Sequence, residues 1–338
     1  MVESGHLQFV PYEELGDRAN IIVDGAANRG TEITLSHWPK SGCPKALKAD
    51  SSAEIVFNYL ACPELHAAAS AVSNNHFDQD GLVGLYSLIN PIKAFANRDL
   101  LIDVAQAGDF AIYQDRRAAR IAFTLAAYAQ GEVSPLDSAI FALPYEEKCA
   151  ALYQKMIPLL DEIIEDLASF EHYWHEEDQH LSESEALIRQ GRVEIEEIKE
   201  LDLAIITLPK EIKTGLARRF SQDLMTLLHP MAIHNKTVCN RILRVQENRY
   251  SFTYRYESWV QFISAPPLPR ADLSPLAEEL TKDEPGDAVW LFDEVSDLAP
   301  QMTLSGNNVS AIPVDKFKKR LIDFLATAPS AWDPFDRD

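Results

Sequence analysis

AAASAVSNNHFDQDGLVGLYSLINP, residues 67–91, contains a complete strand–loop–helix unit. The small residues at its start predict a strand, and the apolar run 82–89 predicts a helix that ends at Asn90 and Pro91. The loop between them carries one imidazole and two carboxylates, on His76, Asp78 and Asp80, followed by Gly81. Three ionisable side chains so close together in one loop call for an explanation, and the neighbouring segments suggest a functional site.

Two strands and a helix precede this unit. ANIIVDGA (19–26) is typical of a short strand that runs into a turn, and TEITLSHWP (31–39) of a second strand that stops at its proline. SSAEIVFNYLA (51–61) predicts a helix with Asp50 or Ser51 as its N-cap. Strands that alternate with helices in this way predict an α/β fold, with a mostly parallel sheet flanked by helices.

The rest of the chain is predicted to be helical at first, then helical and strongly acidic, and finally rich in strands. Residues 98–130 are predicted to be helical with a break at AGDF (107–110), and 145–191 to form one or two long acidic amphipathic helices. A strand at 202–209, a hairpin at 239–263, the strands DAVWLFDE and QMTLSG and a last helix at 314–328 follow.

This pattern predicts three segments. A metal-binding α/β domain would span 1–140, an acidic helical linker 141–200, and a smaller α/β or α+β domain 201–338. The last of these would close over a substrate and exclude water.

Composition excludes several classes of protein. Asp and Glu number 52 against 31 Lys and Arg, and the net charge of −21 disfavours long duplex nucleic acid as a partner. No stretch approaches the roughly 18 apolar residues of a membrane span, and the first residues lack the pattern of a secretory signal. The scattered cysteines form no CxxC pair, which disfavours a zinc ribbon or a disulfide scaffold and fits the cytoplasm. The oligomeric state, including a homodimer, stays open.

The ionisable residues follow predicted strands, where α/β sheets build their sites. Asp24 follows the first strand, His37 the second, and the 76–80 loop the third. Carboxylates with an imidazole suit manganese or magnesium, and two such ions would clamp a phosphoryl group. Each residue also has a simpler interpretation: Asp24 as part of an ordinary turn, His37 as a buried structural histidine, and Asp78 and Asp80 as helix caps.

Four segments together resemble the DHH phosphoesterase superfamily, which includes RecJ-type exonucleases, oligoribonuclease-phosphatases and manganese pyrophosphatases. NHFDQDG resembles its first motif, H-x-D-x-D-G, and the strand IIVDGA its second. TLSHWPKSGCPKALKADSSAEIVFNYL (34–60) is similar to the third, and AGDF to the fourth. The resemblance covers roughly residues 18–125. Ser36-His37-Trp38 stands where the family has Asp-His-His, and the second and third motifs precede the first.

The resemblance implies a site and an activity. One or two manganese (or magnesium) ions would be held by His76, Asp78, Asp80, Asp24, Asp109 and His37, and Asp80 and His37 would also act in catalysis. The reaction would be hydrolysis of a nucleotide, short oligonucleotide or pyrophosphate-type ester by metal-activated water.

Two further interpretations stay open. Arg249 and Arg255 alternate with tyrosines in the hairpin, which suits phosphate contact and base stacking, or else a sheet with one aromatic core face. The whole chain would alternatively be a non-catalytic DHH-like protein that binds a ligand, or one that binds a protein partner through the acidic helices at 145–190.

Overall fold

A computed structural model describes residues 7–219, 227–306 and 309–335, so the first six residues of the sequence lie outside it. The chain divides into two compact units, Met1–Gln179 and His180–Asp338. The chain combines a sheet containing parallel strands with many helices, in agreement with the general α/β class. Among the described residues, no helix combines the length and the apolar character that crossing a membrane requires.

The first unit is built on a four-stranded sheet in which every pairing is parallel. Its strands are β1 (Gln8–Phe9), β2 (Asn20–Val23), β3 (Thr31–Leu35) and β4 (Ala71–Ser73), in the order β1-β4-β2-β3. The short β2 is buried along its whole length, which explains its unbroken apolar sequence. Because β4, β2 and β3 are neighbours, the loops that follow them meet at one edge of the sheet.

Seven helices surround or follow this sheet among the described residues: α1 (Ser52–Leu60), α2 (Gln79–Ile89), α3 (Pro91–Ala96), α4 (Arg98–Asp109), α5 (Arg116–Tyr128), α6 (Tyr145–Glu165) and α7 (Glu171–Arg189). Ser51 is the N-cap of α1, and the predicted break at AGDF is confirmed as the end of α4. Helix α2 begins three residues earlier than predicted, because Asp78 caps it by accepting a hydrogen bond from the Gly81 amide.

The acidic segment 141–200 is not a separate linker. The Tyr153 hydroxyl on α6 donates a hydrogen bond to the His76 carbonyl at 2.7 Å, and Asp161 accepts one from the Tyr86 hydroxyl on α2. Helix α6 therefore belongs to the first unit, and the boundary between the units falls within α7. The acidic composition describes only the solvent-facing side of α6, whose other side is buried.

The second unit has a six-stranded mixed sheet, closer to the α+β option. Its strands are β5 (Glu194–Ile198), β6 (Leu203–Thr207), β7 (Arg241–Gln246), β8 (Arg249–Tyr254), β9 (Trp290–Phe292) and β10 (Gln301–Leu304), in the order β5-β6-β7-β8-β10-β9. Of these six strands, β6 and β7 pair in parallel and the other neighbours pair antiparallel. The helices are α8 (Pro230–His234), α9 (Ser274–Thr281) and α10 (Val314–Leu325).

The predicted hairpin is confirmed as β7 and β8, which turn at Glu247 and Asn248. Phe252 and Tyr254 point into a core that also contains Phe317 of α10. Strand β5 was not predicted, because its glutamates continue the acidic stretch before it.

Candidate metal centre

The loops after β2, β3 and β4 bring the predicted site residues together. Asp24 directly follows β2 and has a left-handed backbone with φ of 47°, which few residues other than glycine adopt. His37 lies two residues beyond β3, and the 76–80 loop follows β4. The grouping of these side chains, expected from their places after parallel strands, is observed.

His37 is fully buried and faces three carboxylates. Its Nδ1 lies 2.7 Å from the Asp50 carbonyl oxygen, and because a carbonyl only accepts, Nδ1 carries a proton. Its Nε2 lies 3.4 Å from Asp24 Oδ1, 3.8 Å from Asp109 Oδ2 and 3.9 Å from Asp80 Oδ2. The Asp50 carbonyl thus orients the ring so that Nε2 points at the acids.

His76 forms the more accessible half of the cluster. Its Nε2 lies 3.2 Å from Asp78 Oδ2 and 3.3 Å from Asp24 Oδ2. The side chains of His76 and Asp78 are 20% and 11% exposed, whereas that of Asp24 is 1% exposed. The Trp38 ring stacks on His76 with 5.2 Å between ring centroids. Solvent and ligands therefore reach the cluster from the His76 side.

Asp24 connects two groups of donors that can each hold a metal ion. Its Oδ2 faces His76, whose group also includes Asp78, and its Oδ1 faces His37, whose group also includes Asp80. Within each group the donor atoms all lie within 4.8 Å of one another. Carboxylate oxygens with one imidazole per group are a donor set that manganese and magnesium accept. Asp109 belongs to neither group but lies beside His37.

The interpretation of the two loop acids as caps of the helix that follows them is correct for Asp78 and wrong for Asp80. Asp78 Oδ1 accepts the Gly81 N–H at 2.9 Å, which leaves its Oδ2 facing His76. Asp80 caps a different helix: its two oxygens accept the N–H groups of Ser52 and Ala53, each at 2.7 Å. Each carboxylate oxygen has a second lone pair, so capping and metal binding are compatible.

Ser52 belongs to the candidate site although the sequence did not predict it. Its hydroxyl donates to Asp24 Oδ1 at 2.8 Å and accepts the His37 N–H at 3.2 Å. With its own N–H bound to Asp80, it contacts three of the candidate ligands. The sequence feature that could have indicated this role is the doubled serine in SSAE. Ser51 alone caps α1, so the cap does not explain the second serine.

Close packing around Gly81 leaves no room for a side chain. A Cβ at this helical position would lie 2.3 Å from the Asn74 side-chain nitrogen and 2.5 Å from the Tyr153 hydroxyl. Asn74, which is 2% exposed, accepts the His76 N–H at 3.0 Å. Asn74 and Tyr153 thus fix the backbone of His76 from two sides, and neither was predicted from the sequence.

The charges of the cluster are interdependent. Burial raises the pKa of Asp24, but hydrogen bonds and charge from His37 and His76 outweigh it and hold that pKa well below its usual range. Burial lowers the pKa of His37, yet its contacts with Asp24 and Asp80 raise it to about 8. The carboxylates of Asp78 and Asp24 likewise outweigh burial and raise the pKa of His76. Burial and the Asp24 charge raise the pKa of Asp80 to about 7.

Manganese affinity is expected to rise with pH through this range. An imidazole binds a metal only when neutral, and below its pKa of about 8 His37 carries a proton that the metal must displace. Affinity should therefore fall about tenfold per pH unit for each proton displaced as the solution becomes more acidic. Calorimetric titrations in buffers of different ionisation enthalpy count the released protons. An affinity that does not change with pH would show that neither histidine is a ligand.

The Ser36-His37-Trp38 segment supplies one candidate ligand, His37. The Ser36 hydroxyl accepts the Trp38 N–H at 3.2 Å, and Trp38 stacks on His76, so only His37 of the three presents a nitrogen to the acids.

The expectation that Arg255 contacts a phosphate is wrong, since it is buried and paired with Glu257. Arg249 donates to Gln246 at 3.1 Å.

The chain belongs to a family of unknown function (DUF6687), whose model matches residues 5–336 and so spans both units. Comparisons with curated proteins and with solved structures gave no match. Function therefore rests on the chemistry of the site.

Proposed function

We propose that this protein is a metal-dependent phosphoesterase that hydrolyses a small phosphorylated substrate with one or two manganese or magnesium ions. The supporting observation is the shared carboxylate of Asp24, which faces one imidazole and one further carboxylate on each side. A carboxylate placed between two donor groups suits a pair of ions close enough to act on one phosphoryl group.

The residues of the two groups are suitable ligands for such ions. His76, Asp78 and Asp24 would hold one ion, and Asp24, His37 and Asp80 the other, with Asp109 beside them. Bound ions would supply activation of water and neutralisation of phosphoryl charge. The protein itself excludes water from Asp24 and His37 by burial, and it fixes the His37 ring through Asp50.

The surroundings favour a small substrate. A cavity of about 280 Å³ borders Asn74 and Asn75, next to His76, and its lining includes four glutamates, Glu13, Glu14, Glu146 and Glu147. Their charge opposes the approach of a long polyanion. A nucleotide, short oligonucleotide or pyrophosphate-type ester carries fewer negative charges than a long polyanion.

Manganese-dependent hydrolysis of bis-p-nitrophenyl phosphate or p-nitrophenyl phosphate tests the proposal. We expect Asp78→Ala to lower the rate by more than about 100-fold, because a ligand matters at least as much as the groups that orient it. The matched control is Asp99→Ala, a side chain that is 94% exposed and paired only with Arg98. Hydrolysis without metal, or full activity in the Asp78 variant, would refute a metal-dependent phosphoesterase centred on this loop.

A non-catalytic ligand-binding or protein-interaction role is the second candidate. It is favoured by Ser36 and Trp38, which add no ligand, and by the use of both Asp80 oxygens to cap α1. This alternative predicts manganese binding, or none, without hydrolysis of either substrate. The same assay therefore separates the two functions.

A further inference from the structure

Part of one buried face of the second unit's sheet is polar, although Ala204, Ile206 and Ile242 on the same face belong to an apolar core. Side chains alternate along β7 and β8, and the face opposite the aromatic core presents Arg244, Gln246, Ser251 and Thr253, with Arg255 just beyond β8. All five are at most 6% exposed. A buried polar surface is stable only when its charges and hydrogen-bonding groups find partners.

Other buried arginines of this unit are held by acceptors within the chain. The Arg270 guanidinium donates to the carbonyls of Val295, Asp297 and Leu298 and to the Ser258 hydroxyl. Arg241 donates to the carbonyls of Leu201 and Pro269. These contacts identify both residues as structural.

The positive charge of Arg255 is also compensated within the chain. It pairs with the buried Glu257 and donates to the Thr237 carbonyl at 2.9 Å. Its charge is therefore cancelled locally, at the edge of the same face.

Arg244 is the exception. It is 1% exposed, and within the described part of the chain its guanidinium donates only to Thr253 Oγ1, at a long 3.4 Å. Its Nε is buried without an acceptor, as are those of Arg241 and Arg255, but among the described residues the rest of its guanidinium has neither a carboxylate nor a carbonyl acceptor. Burial, followed by the charge of Arg255, lowers the pKa of Arg244 to about 10. The one buried carboxylate at this face, Glu257, pairs with Arg255, so the positive charge of Arg244 is left without a carboxylate partner among the described residues.

We infer that Arg244 anchors an oxyanion, the phosphate or carboxylate group of a ligand, on this face of the second unit. Arg244 presents an unused Nε–H, and the Ser251 hydroxyl neighbours it as the paired residue on β8. A planar guanidinium with adjacent hydroxyls is the donor set that oxyanions require. The ligand's negative charge would cancel the charge left on this face. The inference does not depend on the metal centre or on hydrolysis.

Thermal unfolding of the full chain tests it after treatment with EDTA, so that no metal-bound anion contributes. Inorganic phosphate should raise the Tm of the wild type in a concentration-dependent way, relative to chloride at equal ionic strength. Acetate in a parallel series distinguishes the source: a shift with phosphate alone assigns a phosphoryl group, and a shift with acetate alone assigns a carboxylate.

Arg244→Met should abolish the anion-dependent shift and should have a Tm without anion at least as high as the wild type, because it removes an uncompensated buried charge. Arg244→Gln, which keeps a donor for Thr253, should behave in the same way. Arg249→Met is the matched control, since Arg249 is bound to Gln246 on the same hairpin, and it should keep the shift. No shift in the wild type, a shift that persists in both Arg244 variants, or insolubility of both variants would overturn the inference.

Discussion

Replacement of Asp24 by asparagine is expected to lower manganese affinity by more than about 100-fold and to remove any hydrolytic activity. Asp24 is the one side chain common to both candidate metal groups. The amide keeps a single oxygen, so one group loses its shared ligand and meets an NH2 donor instead. The neutral side chain also removes the negative charge that both imidazoles face.

Calorimetric titration of manganese into Asp24→Asn measures this effect, with Asp17→Asn as the control. Asp17 is 74% exposed and pairs with Arg29, outside both candidate metal groups, so its loss should leave affinity unchanged. An independent readout is the His37 imidazole: its pKa, raised to about 8 chiefly by Asp24, should fall in the Asp24 variant. Unchanged affinity together with an unchanged His37 titration would contradict the shared role of Asp24.

Ser52→Ala is expected to weaken manganese binding by about 10–100-fold, the range typical of residues that orient metal ligands. The hydroxyl bonds Asp24 and the His37 amide, so without it both ligands lose the contact that fixes their orientation. The residue itself is not a ligand, and the chemistry of the ions would be unchanged.

The neighbouring serine provides a close control. Ser51 bonds the Glu54 amide and touches no candidate ligand, so Ser51→Ala should cost about 1 kcal/mol of folding stability without changing affinity. Manganese titration and thermal unfolding of both variants separate the two roles. Equal affinities for the two variants would show that Ser52 is only part of the helix start.

Much of the site could be predicted because it depends on local sequence. An apolar strand followed by an acid or imidazole marks the carboxyl end of a parallel strand, and this placed Asp24, His37 and the 76–80 loop at one edge. The helix starts at 51–52 and near 78 carried recognisable caps. These features need only a few neighbouring residues to appear.

What could not be predicted depends on contacts between distant residues. Asp80 caps a helix that begins 28 residues earlier, and Tyr153 bonds a carbonyl 77 residues away. The many acidic residues of α6 and β5 made both segments look exposed in the sequence. The buried side of α6 and the alternating burial along β5 were therefore not recognised. Arg255 was a candidate for phosphate contact because the sequence does not show that Glu257, two residues later, is buried and pairs with it.

Anomalous scattering at the manganese absorption edge, measured on crystals soaked in manganese, tests the central claim most directly. We predict a peak between His76, Asp78 and Asp24, with a second between Asp24, His37 and Asp80 where two ions bind. Phosphate-free conditions and an Asp24→Asn crystal provide the controls. Manganese density elsewhere on the chain, with none beside Asp24, would contradict the account.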